Sequence, residues 1–504
     1  MNLRFPFSLF TSPRSSGIKI LGQRPDRGES ELKHLVYEDH FHLSDSDLQK
    51  ILHVALSRGG DFAEIYLEHK LFSLINMEED IIKETSESII LGLGIRVNSG
   101  EKTGYAYTND ISIEKIKNAA LTAASISSEI SAQNPTSFYS TPLPHNFYPV
   151  LDPAHLASLG DKISLVRQTY DAAQKFDPKI KKVKASLVDQ IQHVRIVNSE
   201  GLSIADRRPL VKLVCLAVAE HSGKREAGYC GGGGRVGLEY FKHVLTPKGI
   251  GQEAAKESLH LLEATSPPAG EMPVVLAPGH SGVLIHEAVG HLLEADFIRK
   301  KTSIFWDKMG SQVGLPTLTI YDDPTLPNFR GSYNIDDEGT IPKKTPLIVK
   351  GKLVGLLQDR LSSRIMGLPE TGHGRRQDFT CIPIPRMSNT YIDKGEYDPE
   401  EIIKSVDKGF YAQKYQGGQV EDSGKFTFSV SSGFLIENGR LTSPVKQATL
   451  IGTNIDILNK IEKIGTDLQF GFQTGTCGKE GQAVPVTDGC PTLKISRMTV
   501  GGQS

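Results

Sequence analysis

The segment HEAVGH at residues 286–291 sets two imidazoles and a carboxylate within six consecutive positions. Imidazole nitrogens are good zinc ligands, and catalytic zinc sites use three protein ligands and leave a fourth position to water. Zinc lowers the pKa of a bound water to about 7 and polarises a scissile carbonyl. A neighbouring carboxylate then takes the proton of that water and delivers it to the leaving amine. Glu287, next to His286, is the obvious base, so the residues point to peptide-bond hydrolysis with Glu287 activating a zinc-bound water. The spacing is irregular for such a site. His286 and His291 are five apart, and on a regular α-helix five steps turn the side chains roughly 140° from one another. A π-type turn with i→i+5 bonds realigns them, and such turns gather at functional sites. Gly290 eases the distortion, so the helix is predicted to widen or break between His286 and His291. The alternative is an ordinary helix with two histidines and no metal. Spacing alone leaves the third ligand open among His280, Glu294, Asp296 and a distant cysteine. Glu294 has a second reading, orienting one of the imidazoles.

The surrounding pattern predicts an α+β chain in two parts. Residues 43–265 read as an α/β domain of mixed strands and helices, and residues 266–504 as a mainly β domain carrying the metal-binding helix. Ser44 with Asp47 reads as a helix N-cap ahead of Leu48, Ile51, Leu52 and Ala55. Strands are expected at 63–68, 71–77, 88–97, 103–108, 181–188, 191–198 and 210–220, and helices at 112–130, 157–176 and 249–264. The glycine run CGGGGRVG at 230–237 reads as a loop, since successive glycines weaken regular structure. SPPAGE at 266–271 marks the boundary. Beyond it, PVVLAP reads as a buried strand and Ser281–Phe297 as helix, while VKGKLVG and IENGRLT read as hairpins.

Composition excludes several function classes. The chain of 504 residues has a formal net charge of −2, which gives no basic field for nucleic acid or an anionic membrane. No apolar run reaches the roughly 18–20 residues needed to cross a bilayer. The glycine run lacks the G-K-[ST] of a phosphate loop. Five scattered cysteines fit a reducing compartment better than a disulfide framework, so a cytoplasmic location is expected. Residues 1–42 are expected to be a flexible N-terminal extension; residues 1–25 are basic and free of acidic residues, which also admits a transit-like reading.

The metal segment HEAVGHLLEADFIRKKTSIF, with IDDEGT, GHGRRQ, PRMSNTYI, GGQV, VKQATLIG, CGKEGQAVPV and the ending PTLKISRMTVGGQS, resembles the TldD/PmbA family of metalloproteases, and within it the TldD branch. The match is dense from about residue 270 onwards and looser over 43–265. The resemblance implies one zinc ion per chain held by His286, His291 and Cys477, with Glu287 as the catalytic carboxylate. It implies a homodimer, or a heterodimer with a PmbA-type homologue. It also implies an enclosed active site to which short or unfolded peptides are added as a strand, a mode tolerant of sequence. On that reading GGQV and TGTCG are candidates for lining the groove, the alternative being β-turn glycines. Guanidinium chemistry makes Arg375 and Arg376 candidates for holding a substrate carboxylate, the alternative being structural salt bridges. Cys215, Cys230, Cys381 and Cys490 are expected to be small packed side chains. The competing reading is a zinc-containing peptide-binding or maturation factor acting with a homologous subunit. In that case the metal is structural, and a fourth protein ligand such as Glu294 is expected.

Overall fold

The computed structural model describes residues 40–127, 134–150, 153–421 and 424–502; the expected extension lies outside the described residues as far as residue 39. The first half is built on an antiparallel sheet. Its long strands run in the order Lys102–Thr108, Ile81–Ser99, Phe62–Glu78, Ile180–Asn198, Leu202–His221, with Lys224–Gly234 beside the last. Alternation gives the sheet two different faces. Ile65, Leu67, Ile75 and Met77 point to one face, where two helix pairs cover them. One pair is Asp45–Ala55 with Ile113–Ala124; the other is Leu159–Gln174 with Pro247–Glu263. The helix Asp45–Ala55 starts where Ser44 Oγ accepts the amide of Asp47 at 3.2 Å. It buries Leu48, Ile51, Leu52 and Ala55, and each such Leu or Ile contributes about 1.5–3 kcal/mol of burial free energy. Tyr66, Val194 and Ile196 point to the opposite face and meet Ile335 and Phe379 of the second half.

Three expectations need correction. The segments 63–68 and 71–77 form one strand, as do 181–188 and 191–198. Asp189, between the latter two segments, is buried in an ion pair of 2.9 Å with Lys162 of a covering helix. The glycine run is not a loop, because Gly231–Gly234 complete the strand Lys224–Gly234. Close approach explains the residue type: a Cβ on Gly233 meets the Val211 carbonyl oxygen at 1.9 Å, and one on Gly232 meets Leu245 at 2.4 Å. Lastly, the helix expected over Ser281–Phe297 is broken, and Glu294 is extended (φ −68°, ψ 124°) between helical turns.

The second half is mainly β. The strands Arg440–Thr453, Lys425–Glu437, Lys408–Val420, Gly270–Leu276 and Leu493–Gly502 pair in that order, and the last returns to the first through Ala448↔Gly502 to Ile451↔Thr499, closing a ring. IENGRLT turns a hairpin as expected, with Asn438 and Gly439 at positive φ (49° and 71°). A second sheet of short strands includes Ile320–Asp322, Asn389–Ile392 and Thr487–Cys490. One continuous apolar core fills the space between ring and second sheet, and the buried residues of the HEAVGH turn, Ala288 and Val289, belong to it. No helix among the described residues is long and apolar enough to cross a membrane.

Candidate metal centre

Residues His286–Gly290 form a π-helical turn, the widened helix that the histidine spacing predicts. Gly290 is required there for space as well as backbone ease, since a Cβ would lie 1.9 Å from Met387 Sδ. The turn brings the two imidazoles together with ring centroids 5.1 Å apart and planes near perpendicular, at 86°. Cys477 comes from far along the chain, on a hairpin of Thr476–Lys479 and Gln482–Pro485. Its Sγ stands 3.3 Å from His291 Nε2. One ligand atom from each of His286, His291 and Cys477 lies within 4.8 Å of the others, the one such group of metal-ligating side chains among the described residues. A tetrahedral zinc site with N and S ligands has ligand–ligand edges of roughly 3.3–3.6 Å, so small rotamer adjustments suffice to close the group on an ion.

The second nitrogen of each imidazole is already committed. His286 Nδ1 donates to Asp488 Oδ1 at 2.8 Å, and His291 Nδ1 donates to Glu294 Oε2 at 3.1 Å. Both bonds fix the tautomer that leaves Nε2 free as a ligand, and a carboxylate behind each ring raises its basicity. Glu294 is itself anchored. It is fully buried, 3.0 Å from Lys479 Nζ and 3.9 Å from Arg386 Nε. Lys479 also pairs with Asp296 at 2.7 Å, and Arg386 donates to the Cys477 carbonyl at 2.7 Å.

Electrostatics follow from these contacts. Burial raises the Cys477 thiol, but the two imidazoles outweigh it and hold the thiol well below its ordinary value, as a thiolate. Burial opposes charge on His291, yet Glu294 and Cys477 push it up to about 10. His286 is likewise raised against burial, by Asp488 and Cys477. For Glu294, burial opposes ionisation, and Lys479 and His291 bring it down to about 2. A metal ion held by these three side chains would displace their protons. Glu287 differs: burial raises its pKa against the pull of His286 and His291. Its side chain is 18% exposed, and its Oε2 lies 3.9 Å from His291 Nε2, so it faces the side of the group that protein ligands leave open.

The structure thus gathers His286, His291, Cys477 and Glu287, and gives the other candidates other contacts. His280 is half-buried against Tyr415 and Phe472, each with a ring centroid 6.0 Å away. Asp296 belongs to the Lys479 pair. Glu294 accepts from His291 Nδ1, the orienting contact read as its second possibility. Arg376 is tied to Glu64 at 2.5 Å as part of the framework, whereas Arg375 donates to the carbonyls of Met387 and Pro485. Cys215, Cys230 and Cys490 are buried, as expected, but Cys381 is only half-buried. Sequence reasoning missed Asp488, Lys479 and Arg386. Lys479 and Arg386 stand inside segments already singled out, CGKEGQ and PRMSN, whereas nothing in the spacing of TDGC marks Asp488.

Three family models match the chain: PmbA/TldA metallopeptidase domain 1 over residues 63–127, the central domain over 152–262 and the C-terminal domain over 269–502. The chain is 42% identical over 467 residues to the metalloprotease TldD homolog of Haemophilus influenzae, covering 91% of this chain and 97% of that one. It is 28% identical over 464 residues to the zinc metalloprotease TldD homolog of Saccharolobus solfataricus, covering 90% of this chain and 99% of that one. Its fold is similar to that of TldE from Thermococcus kodakarensis, with a TM-score of 0.70 at 19% identity over 90% of this chain and 100% of that one. Family models across both halves and a near full-length relative lead to one conclusion: the chain is a metallopeptidase and belongs to the TldD branch of the PmbA/TldD family.

Proposed function

We propose that this metallopeptidase is a zinc enzyme that hydrolyses peptide bonds in short or unfolded peptides, with one zinc ion per chain held by His286, His291 and Cys477. The observation that carries the reading is the convergence of two imidazole Nε2 atoms and a thiolate beside Glu287. When bound, zinc supplies Lewis acidity to a scissile carbonyl and to water. The other steps belong to the chain. Asp488 and Glu294 hold the imidazoles in the ligating tautomer. The Glu287 carboxylate accepts a proton from the attacking water and passes it to the leaving amine. Its burial brings its proton affinity closer to neutral pH, where a base of this kind works best.

The proposal extends to assembly as a homodimer or beside a PmbA-type homologue, and the fold shared with TldE supports a partner of that kind. Peptide binding by strand addition accounts for broad sequence tolerance. The test combines metal analysis with digestion of an unstructured peptide. Wild type is expected to carry one zinc per chain and to lose cleavage to a chelator. Cys477→Ser is expected to lose most of its zinc. Glu287→Gln should keep the metal and lose turnover by about 10²–10⁴-fold, the usual range for a general base. Normal turnover in Glu287→Gln, or full occupancy in Cys477→Ser, refutes the assignment of that residue.

A further inference from the structure

A cavity of 450 Å³ opens where the first-half sheet meets the second half. Its floor is two adjacent rows across four strands: Ile90, Lys70, Gln192 and Arg208 in one, Ser88, Phe72, Gln190 and Leu210 in the other. Part of its wall is the hairpin that carries Cys477, through Thr476, Val484 and Pro485.

The charges facing this space do not balance. Three of its cations have carboxylate partners: Lys70 pairs with Glu68, Arg208 with Asp206 and Asp337, and Arg376 with Glu64. Arg235, Arg330 and Arg375 do not. Arg235 donates to the carbonyls of Ser332 and Pro209, at 2.9 and 3.4 Å. Arg330 donates to the Gly475 carbonyl at 2.6 Å and to Thr476 Oγ1 at 3.4 Å. Arg375 donates to the carbonyls of Met387 and Pro485. None of these three makes an ion pair with a carboxylate among the described residues, although all are buried (3%, 8% and 4% exposed). Burying an unpaired charge is costly. Burial and the neighbouring guanidinium groups bring both Arg235 and Arg330 down to about 10. Of the acidic groups lining the cavity, Asp337 is spent on Arg208 and the Arg376 amide. Asp336 accepts from the backbone amides of Glu338, Thr340 and Gly374, and burial and Glu338 raise its pKa. Asp378 caps its own turn through Thr380.

We propose that this cavity is an anion subsite in which Arg235, Arg330 and Arg375 hold a carboxylate of a peptide, either its C-terminal carboxylate or an acidic side chain. Guanidinium groups match planar carboxylates by paired N–H donors, and each has five donors of which carbonyls use only part. The class of ligand rests on the peptidase reading, because the hairpin that supplies Cys477 to the metal group also walls the cavity. A peptide anchored here by a carboxylate therefore reaches towards the metal group along that hairpin.

The test is equilibrium binding by calorimetry to the full-length chain with two matched pairs of probes. One pair is N-acetyltrialanine and its C-terminal amide. The other is an amidated acetyl tripeptide with a central glutamate and the same tripeptide with a central glutamine. In the wild-type chain one anionic member should bind about ten- to hundredfold tighter than its neutral partner, as expected for charge-assisted hydrogen bonds in a buried site. The pair that discriminates says which carboxylate is held. In Arg235→Gln and in Arg375→Gln the ratio should fall to about threefold or less, and Arg235→Lys should keep part of it. Equal binding of acid and neutral probes by wild type overturns the proposal without need of any variant that folds poorly. So does a preference that survives in a folded Arg235→Gln chain, or a site that takes inorganic phosphate but ignores both peptide carboxylates. Chelator-sensitive cleavage is scored separately: a chain that binds acid over amide yet cleaves nothing refutes the peptidase reading and leaves the anion subsite standing.

Discussion

Asp488 is the sharpest place to perturb the metal group. Asp488→Asn keeps the size of the side chain and removes its charge. The carboxylate receives the His286 Nδ1 proton at 2.8 Å and is only 11% exposed, so water replaces it poorly. Partners of this kind behind a ligating imidazole are worth about 10–100-fold in metal affinity, or roughly 1.4–2.7 kcal/mol. The short, largely shielded bond places Asp488 in the upper half of that range. Glu294, the matching group behind His291, is a poorer choice. It also holds Lys479 and Arg386 in a fully buried cluster, and breaking such a cluster destabilises the fold by about 3–5 kcal/mol. Metal affinity and folding would then change together. The assay is competition for zinc against a chromophoric chelator at fixed pH, with circular dichroism to show that the variant is folded. Asp488→Asn is expected to bind zinc about 30–100-fold more weakly, while Asp488→Glu recovers part of the loss. Affinity within twofold of wild type in a folded Asp488→Asn chain refutes the argument that this carboxylate sets the tautomer and basicity of His286.

Four further outcomes follow from the same contacts. Gly290→Ala forces a Cβ to within 1.9 Å of Met387 Sδ, so zinc content should fall sharply, and Met387→Ala in the same chain should restore part of it. Unchanged zinc content in Gly290→Ala argues against the tight π turn. Because burial raises the Glu287 pKa, the base is protonated, and inactive, up to a higher pH than an ordinary glutamate. The acid limb of kcat/KM should therefore lie above the ordinary value of about 4.3, and a limb at or below it counts against Glu287. Arg96 is buried between Glu64 at 2.8 Å and Glu338 at 2.6 Å and joins the two halves; Arg96→Met should lower stability by about 3–5 kcal/mol in urea denaturation, and a loss below about 1 kcal/mol contradicts the bridge. Removing the metal should lower Tm only as mass action requires and leave the far-ultraviolet dichroism unchanged, whereas loss of secondary structure shows that the metal organises the fold.

Much of this was legible in the sequence, and the failures have a common origin. The HEAVGH spacing required a widened turn, and the π turn at His286–Gly290 is that feature. Ser44, Asn438 and Gly439 announced a cap and a hairpin because their local chemistry acts within a few residues. Tertiary partners decided the rest. The strands expected at 181–188 and 191–198 are one, and Asp189 between them is held in the sheet by its ion pair with Lys162. The run Gly231–Gly234 read as a loop because sequence shows the flexibility of glycine and not the strand that presses against it. Cys477 required the family resemblance, since no local rule links a cysteine to a histidine 186 positions away. Asp488 stayed hidden for the same reason, and nothing in TDGC separates it from an ordinary turn aspartate.

The network behind the metal group explains how segments so distant in sequence keep a common geometry. Lys479 sits two residues after Cys477 and points to the same side of its strand, as the alternation of a β-strand dictates. There it meets Glu294 and Asp296, which follow the π turn directly. Arg386 closes the loop by donating to the Cys477 carbonyl while lying beside Glu294. The hairpin is thus fastened to the histidine turn by ion pairs that involve no metal. A zinc finger needs its metal to fold. Here the ligands are held near each other by the protein, so the binding free energy of the ion goes to charge neutralisation at the site and little of it to ordering the chain. The same fastening ties the metal group to the arginine cavity, because one hairpin serves as ligand support on one side and as cavity wall on the other.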